Sequence, residues 1–510
     1  MKYKNPVIRG FYPDPSVCRA GDNFYLVNSS FEFFPGVPLF HSKNLAQWEP
    51  VGHCLTSKEQ VKLDGCHASG GIYAPTIRYH EGWFYMTVTN VSDKGNFIVH
   101  TRNPEEGWSE PCWVKQGGID PSLFFDEDGK VYYTTTGNLE DGTSTIQMCE
   151  VDPMTGEKLT ESRVINYGCG GRCPEGPHIY KKGGYYYLML AEGGTEYGHM
   201  ETLQRSRNPY GPYEACPHNP ILSHKDYQKG DLAGVGHGDL VEDADGNWWM
   251  IFHGIRPLKG EYGYLMLHNL GRETFLVPVT WTEDGWLTVG NDGTVDFEME
   301  GELPAEAEDE TEVVFEDTFE DEEFSVKYTF LRNPDMSEYV RDTENKQLLL
   351  RGNDATLNEE GSPAWIGIRQ EEFTAEAEVT VWSGENGRAG NRAGLTAFYN
   401  DGYHYDVYTT EENGQQYICY AQCIHETYTV LEKIPVSAGK VTLKLKADDQ
   451  FYRFSFITEG NEEQSIGRGR TAGLCTEGTF RMSFTGTFIG IFAEKTDAIF
   501  RNLKVRFDSK

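Results

Sequence analysis

Short apolar runs separated by glycine and proline turns dominate residues 1–300, and one order of events recurs five times. A Pro- or Gly-containing turn leads into a short apolar strand, then a glycine turn, then an aromatic strand. In the first copy Tyr12-Pro13-Asp14-Pro15-Ser16 is followed by Gly21 and Phe24-Tyr25-Leu26-Val27. The second runs Tyr73-Ala74-Pro75-Thr76, Gly82, Trp83-Phe84-Tyr85-Met86, and the third Ile119-Asp120-Pro121-Ser122, Gly129, Val131-Tyr132-Tyr133. The fourth is Pro174-Glu175-Gly176-Pro177-His178, Gly183-Gly184, Tyr185-Tyr186-Tyr187-Leu188, and the fifth Gly236-His237-Gly238-Asp239, Gly246, Trp248-Trp249-Met250-Ile251. The equivalent positions Asp14, Ala74, Asp120, Glu175 and His237 follow one another at steps of 60, 46, 55 and 62 residues. Such periods suit a four-stranded propeller blade of about 40–50 residues plus loop insertions. The i, i+3, i+4, i+7 apolar spacing of a long amphipathic helix is missing. Five blades closing on one axis are therefore expected over residues 1–300.

The pattern changes after that. Residues 301–312 are rich in Glu, with Pro304 and two Ala, which suits an exposed acidic linker. Beyond it, period-two alternation returns at 373–381, 394–399, 403–409 and 441–445, the signature of an antiparallel β-sandwich over 313–510. The predicted fold is all-β, a five-bladed propeller followed by a sandwich. A length of 510 residues fits two such cores.

Composition narrows the function. Aromatic residues make up 13%, which suits both strands and platforms for the apolar faces of sugars. A net charge of −34 argues against nucleic acid or an anionic membrane as partner and agrees with a small neutral substrate. No run approaches the length of a membrane span. The start, Met1-Lys2-Tyr3-Lys4-Asn5-Pro6, has no apolar signal segment, and the eleven Cys form no regular framework. Both predict a cytoplasmic protein with reduced, mostly buried thiols. Monomer and homo-oligomer agree equally with the sequence.

In a propeller the innermost strand of each blade starts near the axis, so repeat-equivalent residues gather at one pocket. Asp14, Asp120 and Glu175 would converge there from three blades. Glycosidic hydrolysis requires one carboxylic acid to protonate the leaving oxygen and one carboxylate to activate water. A third acid raises the pKa of the proton donor by like-charge repulsion. Asp before Pro is also a common turn residue, whereas Glu175 between Pro174 and Gly176 has no such turn preference. His237 could contact substrate, hold a structural cation such as calcium through water on the axis, or be a satisfied core histidine. The hydrolytic chemistry itself requires no cofactor.

The motifs Tyr12-Pro13-Asp14-Pro15-Ser16, Ile119-Asp120-Pro121-Ser122 and Pro174-Glu175-Gly176-Pro177-His178 closely resemble the three acidic signatures of glycoside hydrolase family 43. Ser29-Ser30-Phe31-Glu32-Phe33-Phe34-Pro35-Gly36-Val37, Ser69-Gly70-Gly71-Ile72-Tyr73-Ala74-Pro75, Ala191-Glu192-Gly193-Gly194-Thr195 and Leu270-Gly271-Arg272-Glu273-Thr274 add to the likeness. The second half is similar to the concanavalin-like sandwich of the family's two-domain β-xylosidase and α-L-arabinofuranosidase branch. The resemblance implies single-displacement hydrolysis with inversion: Asp14 as general base, Glu175 as general acid, Asp120 tuning and orienting the acid. It makes Arg272 the substrate-binding arginine, with a structural ion pair to Glu273 or another acid as the alternative, and Phe31 and Tyr73 the aromatic wall of the terminal subsite, with ordinary propeller packing as theirs. Phe484-Thr485-Gly486-Thr487-Phe488-Ile489-Gly490 resembles the loop by which the sandwich closes the pocket, with Phe488 as the expected lid. Tyr73 stands where the β-xylosidase branch commonly has tryptophan, and His253-Gly254-Ile255-Arg256-Pro257 also departs from that branch. Both departures favour α-L-arabinofuranosidase, with dual activity on terminal xylose allowed. A strict β-xylosidase and a non-catalytic carbohydrate-binding propeller are the competing readings.

Overall fold

The computed structural model describes all residues except 227–230, 260–265, 307–312, 385, 480–482 and 509–510. Five antiparallel sheets form the propeller, each consecutive in sequence. Blade one contains Ser16–Ala20, Asn23–Val27, Gly36–Ser42 and Glu49–Leu55; blade two Thr76–His80, Trp83–Asn90, Gly95–Thr101 and Cys112–Trp113. Blade three contains Ile119–Phe125, Val131–Asn138, Ser144–Glu150 and Arg163–Asn166; blade four is built on Glu175–Lys182, Tyr185–Glu192, Met200–Ser206 and Glu214–Ala215. Blade five contains Ala233–Glu242, Trp248–Ile255, Glu273–Trp281 and Leu287–Val289. The expected repeat thus corresponds to the first two strands of every blade. The second strands, such as Trp83–Asn90 and Trp248–Ile255, are buried almost throughout, because neighbouring blades cover both faces. That is why they read as continuous aromatic and aliphatic runs rather than alternating ones.

The start of the chain packs along blade five, outside its four-stranded sheet. Lys2–Lys4 pairs antiparallel with Glu298–Glu300, and Ile8 bridges to Thr274. Asn5 ties both ways to Leu276, donating from Nδ2 to its carbonyl and accepting its N–H on Oδ1, each at 2.9 Å. These bonds hold the segment leading to Asp14 against blade five.

The second half is a sandwich of two large antiparallel sheets. One carries Thr374–Ser383 and Asp497–Asp508 at its centre; the other carries Arg392–Asn400 and Phe488–Glu494. The alternating segments expected at 373–381, 394–399, 403–409 and 441–445 fall on the strands Thr374–Ser383, Arg392–Asn400, Tyr403–Glu412 and Val441–Ala447. The domains are joined through the backbone. Phe33–Phe34 of the propeller extends the second sheet, with Phe34 opposite Phe330 and Phe33 opposite Leu331. One apolar cluster runs from Val37, Ile72 and Val88 into Phe330, Ile366 and Ile489. Partly buried Arg256 bridges Glu273 of blade five and Glu372 of the sandwich at 2.6 and 2.7 Å. Of the expected linker, residues 307–312 lie outside the described residues. Helix is confined to single 3₁₀ turns among the described residues, and no helix is long and apolar enough to cross a membrane.

Candidate active site

All five repeat-equivalent residues, Asp14, Ala74, Asp120, Glu175 and His237, line one cavity of about 430 Å³ at the propeller axis. Irregular backbone aims them there. Pairing of the two inner strands slips between Ile119 and Ser122, between Glu175 and His178, and between Gly236 and Asp239, the same place in blades three, four and five. A bulge bends the strand end and turns a side chain out of the sheet. Asp14, Asp120 and His237 sit at φ 51°, 52° and 52°, and Asp and His are among the residues that tolerate this left-handed region. In blade four the strain falls on Gly176 at φ 56°, where a Cβ would also lie 3.0 Å from His237 Nε2. A glycine is required after the acid for both reasons.

The carboxyls are held in opposite states. Asp14 is buried, and burial alone would raise its pKa; the charge of Arg272, the contact with His253 and the charge of His237 outweigh burial and hold it well below the ordinary carboxylate range. Arg272 Nη1 donates to Oδ1 at 2.5 Å and Ser29 Oγ to Oδ2 at 2.6 Å. His253 Nδ1 lies 3.1 Å from both the Asp14 backbone nitrogen and Oδ1. Burial, reinforced by the Arg272 charge, pushes His253 down to about 3, so its imidazole is neutral. Glu175 is enclosed with one face on the cavity, and burial followed by the charges of Asp120 and Asp14 raises it well above the usual carboxylate range. Asp120 accepts the Gly176 N–H on Oδ2 at 3.2 Å, which ties it to the strand that carries Glu175.

The surroundings thus bias Asp14 towards its ionised form and Glu175 towards its protonated form, the division that paired acid–base chemistry requires. Because the Asp120 charge ranks directly after burial in raising Glu175, Asp120→Asn should lower the Glu175 pKa. The acid form is then lost at lower pH, so the alkaline limb of the kcat/KM profile should move towards acid. An alkaline limb that stays in place would restrict Asp120 to holding the Gly176 backbone.

The walls follow the sequence reading in part. Phe31 and Tyr73 line the cavity with ring centroids 5.4 Å apart. Arg272 turns to Asp14, to Thr195 Oγ1 at 3.0 Å and to the Phe484 carbonyl at 3.3 Å. Of the acids expected as ion-pair partners, Glu273 is taken by Arg256 and the Gly10 N–H, and Arg272 pairs with Asp14 instead. The expected lid needs correction. Phe488 is fully buried between Phe33, Phe11 and Trp365, with centroids at 4.3, 6.0 and 5.8 Å, and does not reach the cavity. Phe484, four residues earlier, lines it instead, stacked on Phe31 at 5.7 Å. The run Phe488-Ile489-Gly490-Ile491-Phe492-Ala493 already reads as a buried strand, which leaves Phe484 as the ring free to face the pocket. Sequence reasoning also missed Ser29, His253, Thr195 and the rim residues Arg172, Glu196, His268 and Glu477.

His237 lines the cavity with Nδ1 3.6 Å from Asp14 Oδ1. Asp14, His237 and His253 are the one group of potential metal ligands among the described residues. Calcium takes six to eight oxygen ligands, whereas this group supplies two imidazoles and a carboxylate oxygen already bonded to Arg272. As direct ligands these residues do not fit calcium, whose oxygens would have to come from water as the sequence reading had it, and no step below passes through a cation.

A propeller that gathers three carboxyl groups in one pocket walled by aromatic rings carries the equipment of a glycoside hydrolase. The model for glycosyl hydrolases family 43 matches residues 3–287, and that for the beta xylosidase C-terminal concanavalin A-like domain matches 316–509. The chain belongs to glycosyl hydrolase family 43. It is 41% identical over 501 residues to a non-reducing end alpha-L-arabinofuranosidase of Bacteroides ovatus, covering 96% of this chain and 91% of that protein. It is 38% identical over 475 residues to a xylosidase/arabinosidase of Butyrivibrio fibrisolvens, covering 90% and 89%. Among solved structures, the family 43 protein of a Bacteroides ovatus xyloglucan locus superposes with a TM-score of 0.92 at 38% identity, covering 100% of both chains. Xylan beta-1,4-xylosidase from Bacillus halodurans gives 0.91 at 32%, covering 99% and 100%.

Proposed function

We propose that the protein is an exo-acting, inverting hydrolase that releases terminal α-L-arabinofuranose or β-D-xylose from arabinoxylan- or xylan-derived oligosaccharides. The observation that carries this reading is the opposed state of Asp14 and Glu175 in one cavity. Glu175 gives its proton to the leaving glycosidic oxygen, while Asp14 takes a proton from water attacking the opposite face of the sugar. Asp120 keeps Glu175 protonated until the transfer. Arg272 fixes the Asp14 carboxylate, leaving its guanidinium edge for a sugar hydroxyl.

Exo-action is supported by the shape of the pocket. Sandwich residues Thr476, Glu477, Thr479, Ser483 and Phe484 cover the side of the cavity opposite the blades. A chain interior would have to thread past them, whereas a terminal sugar enters end-on. Initial rates on nitrophenyl α-L-arabinofuranoside and nitrophenyl β-D-xyloside with one preparation test the activity and the choice of pentose. Proton NMR of the first product should show the anomer inverted relative to the substrate. Retention at the anomeric carbon would overturn the assignment of Asp14 as base. Absence of turnover on both glycosides would overturn the substrate class.

A further inference from the structure

Two charged pairs at the rim of the cavity have no role in the acid–base chemistry above. On the propeller side Arg172 pairs with Glu196. On the sandwich side Glu477 meets His268 Nδ1 at 2.7 Å and accepts the His268 backbone N–H at 3.1 Å. All four side chains line the cavity that holds the acids.

The position of Arg172 is built rather than incidental. Gly193 N–H donates to the Arg172 carbonyl at 2.8 Å. Gly194, at φ 73°, leaves open the volume beside the guanidinium, where a Cβ would lie 2.8 Å from Nη2. The next two residues serve both arginines of the pocket. Thr195 Oγ1 accepts from Arg272 inside, while Glu196 holds Arg172 outside. The strip Gly194-Thr195-Glu196 therefore spans the depth of the pocket. Arg172 lines the same cavity as Glu175, which lies three residues further along the chain and is the acid that would protonate the leaving oxygen. Glu477 is set with equal care: two bonds from one histidine fix its carboxylate, and each oxygen keeps a further lone pair for a ligand.

We propose that Arg172 and Glu477 form the leaving-group subsite, the guanidinium donating to and the carboxylate accepting from hydroxyls of the second sugar. This rests on the hydrolase reading of the preceding subsection and adds the chemistry of the leaving group. The inner wall, Phe31, Tyr73 and Phe484, is aromatic, while the rim among the described residues is made of charged and hydroxyl groups. A neutral, hydroxyl-bearing sugar matches such a rim.

Binding without turnover tests the subsite separately from the chemistry. In an Asp14→Asn background, calorimetry gives the Kd of xylobiose and of an arabinofuranosyl-xylose disaccharide, and those of free xylose and arabinose. Adding Arg172→Ala should weaken the preferred disaccharide about ten-fold or more, the scale of a lost hydrogen bond to a charged group, and its free terminal pentose much less. Glu477→Gln, which keeps shape, should act in the same direction. Arg172 has a side chain 59% exposed, so its removal does not threaten the fold. A disaccharide-to-monosaccharide affinity ratio unchanged in both variants would overturn the subsite while leaving the hydrolase reading intact. Failure of the Asp14→Asn parent to bind any of these sugars would instead overturn the proposed pentose substrate class, and the subsite with it.

Discussion

Asp14→Asn should lower kcat on an unactivated pentosyl oligosaccharide by at least roughly 10²–10⁴-fold, the usual contribution of general acid–base catalysis. Asparagine keeps the shape but cannot take a proton from water. Glu175→Gln should cost a similar factor on the oligosaccharide and distinctly less on a nitrophenyl glycoside, because nitrophenolate leaves with little protonation. That asymmetry separates the two roles: loss of the base harms both substrates alike, loss of the acid harms the poor leaving group more. Arg272 keeps Thr195 and the Phe484 carbonyl as partners in Asp14→Asn, so circular dichroism should report a native fold. Rates within a few-fold of the parent on the oligosaccharide, in either variant, would sink the assignment.

The acid trio was legible in the sequence because the propeller repeat converts linear spacing into convergence. Asp14, Asp120 and Glu175 occupy one position of a recurring unit, and a repeat that closes on an axis brings that position to one place. What was hidden was everything that depends on how the blades turn. The bulges at Asp120, Glu175 and His237 are deviations from strand pairing that the apolar pattern does not record. His253 sits in the middle of a buried strand, where a histidine has no periodic signal, yet it meets Asp14 because blade five closes against blade one. The rim residues were invisible for another reason: His268 and Glu477 lie more than 200 positions apart and meet only through docking of the sandwich. The Glu-rich stretch at 301–312 read as an exposed linker short enough to keep the domains in contact, but the two-residue pairing of Phe33–Phe34 with the sandwich was too short to stand out as a strand.

That docking bears on how the second domain contributes to activity, and two phenylalanines four residues apart separate its roles. Phe488→Ala removes a ring with no exposure, packed on Phe11, Phe33 and Trp365 where propeller and sandwich meet. A Phe-to-Ala change in such a core costs about 3–5 kcal/mol, so the thermal midpoint should fall clearly. Kinetic constants measured on the protein still folded at low temperature should change little, because Phe488 does not touch the cavity. Phe484→Ala should do the reverse. Its ring is only partly buried, stacked on Phe31 and 5.7 Å from the Arg272 guanidinium. Losing part of an apolar wall worth about 1.5–3 kcal/mol when fully buried should raise KM about ten-fold for disaccharides, at roughly 1.4 kcal/mol per decade. The drop in midpoint should be well under that of Phe488→Ala. Deleting the sandwich would not make this distinction, since it would also expose the apolar cluster that runs between the domains. Equal KM changes in the two point variants would mean that the sandwich supports the pocket without forming its wall.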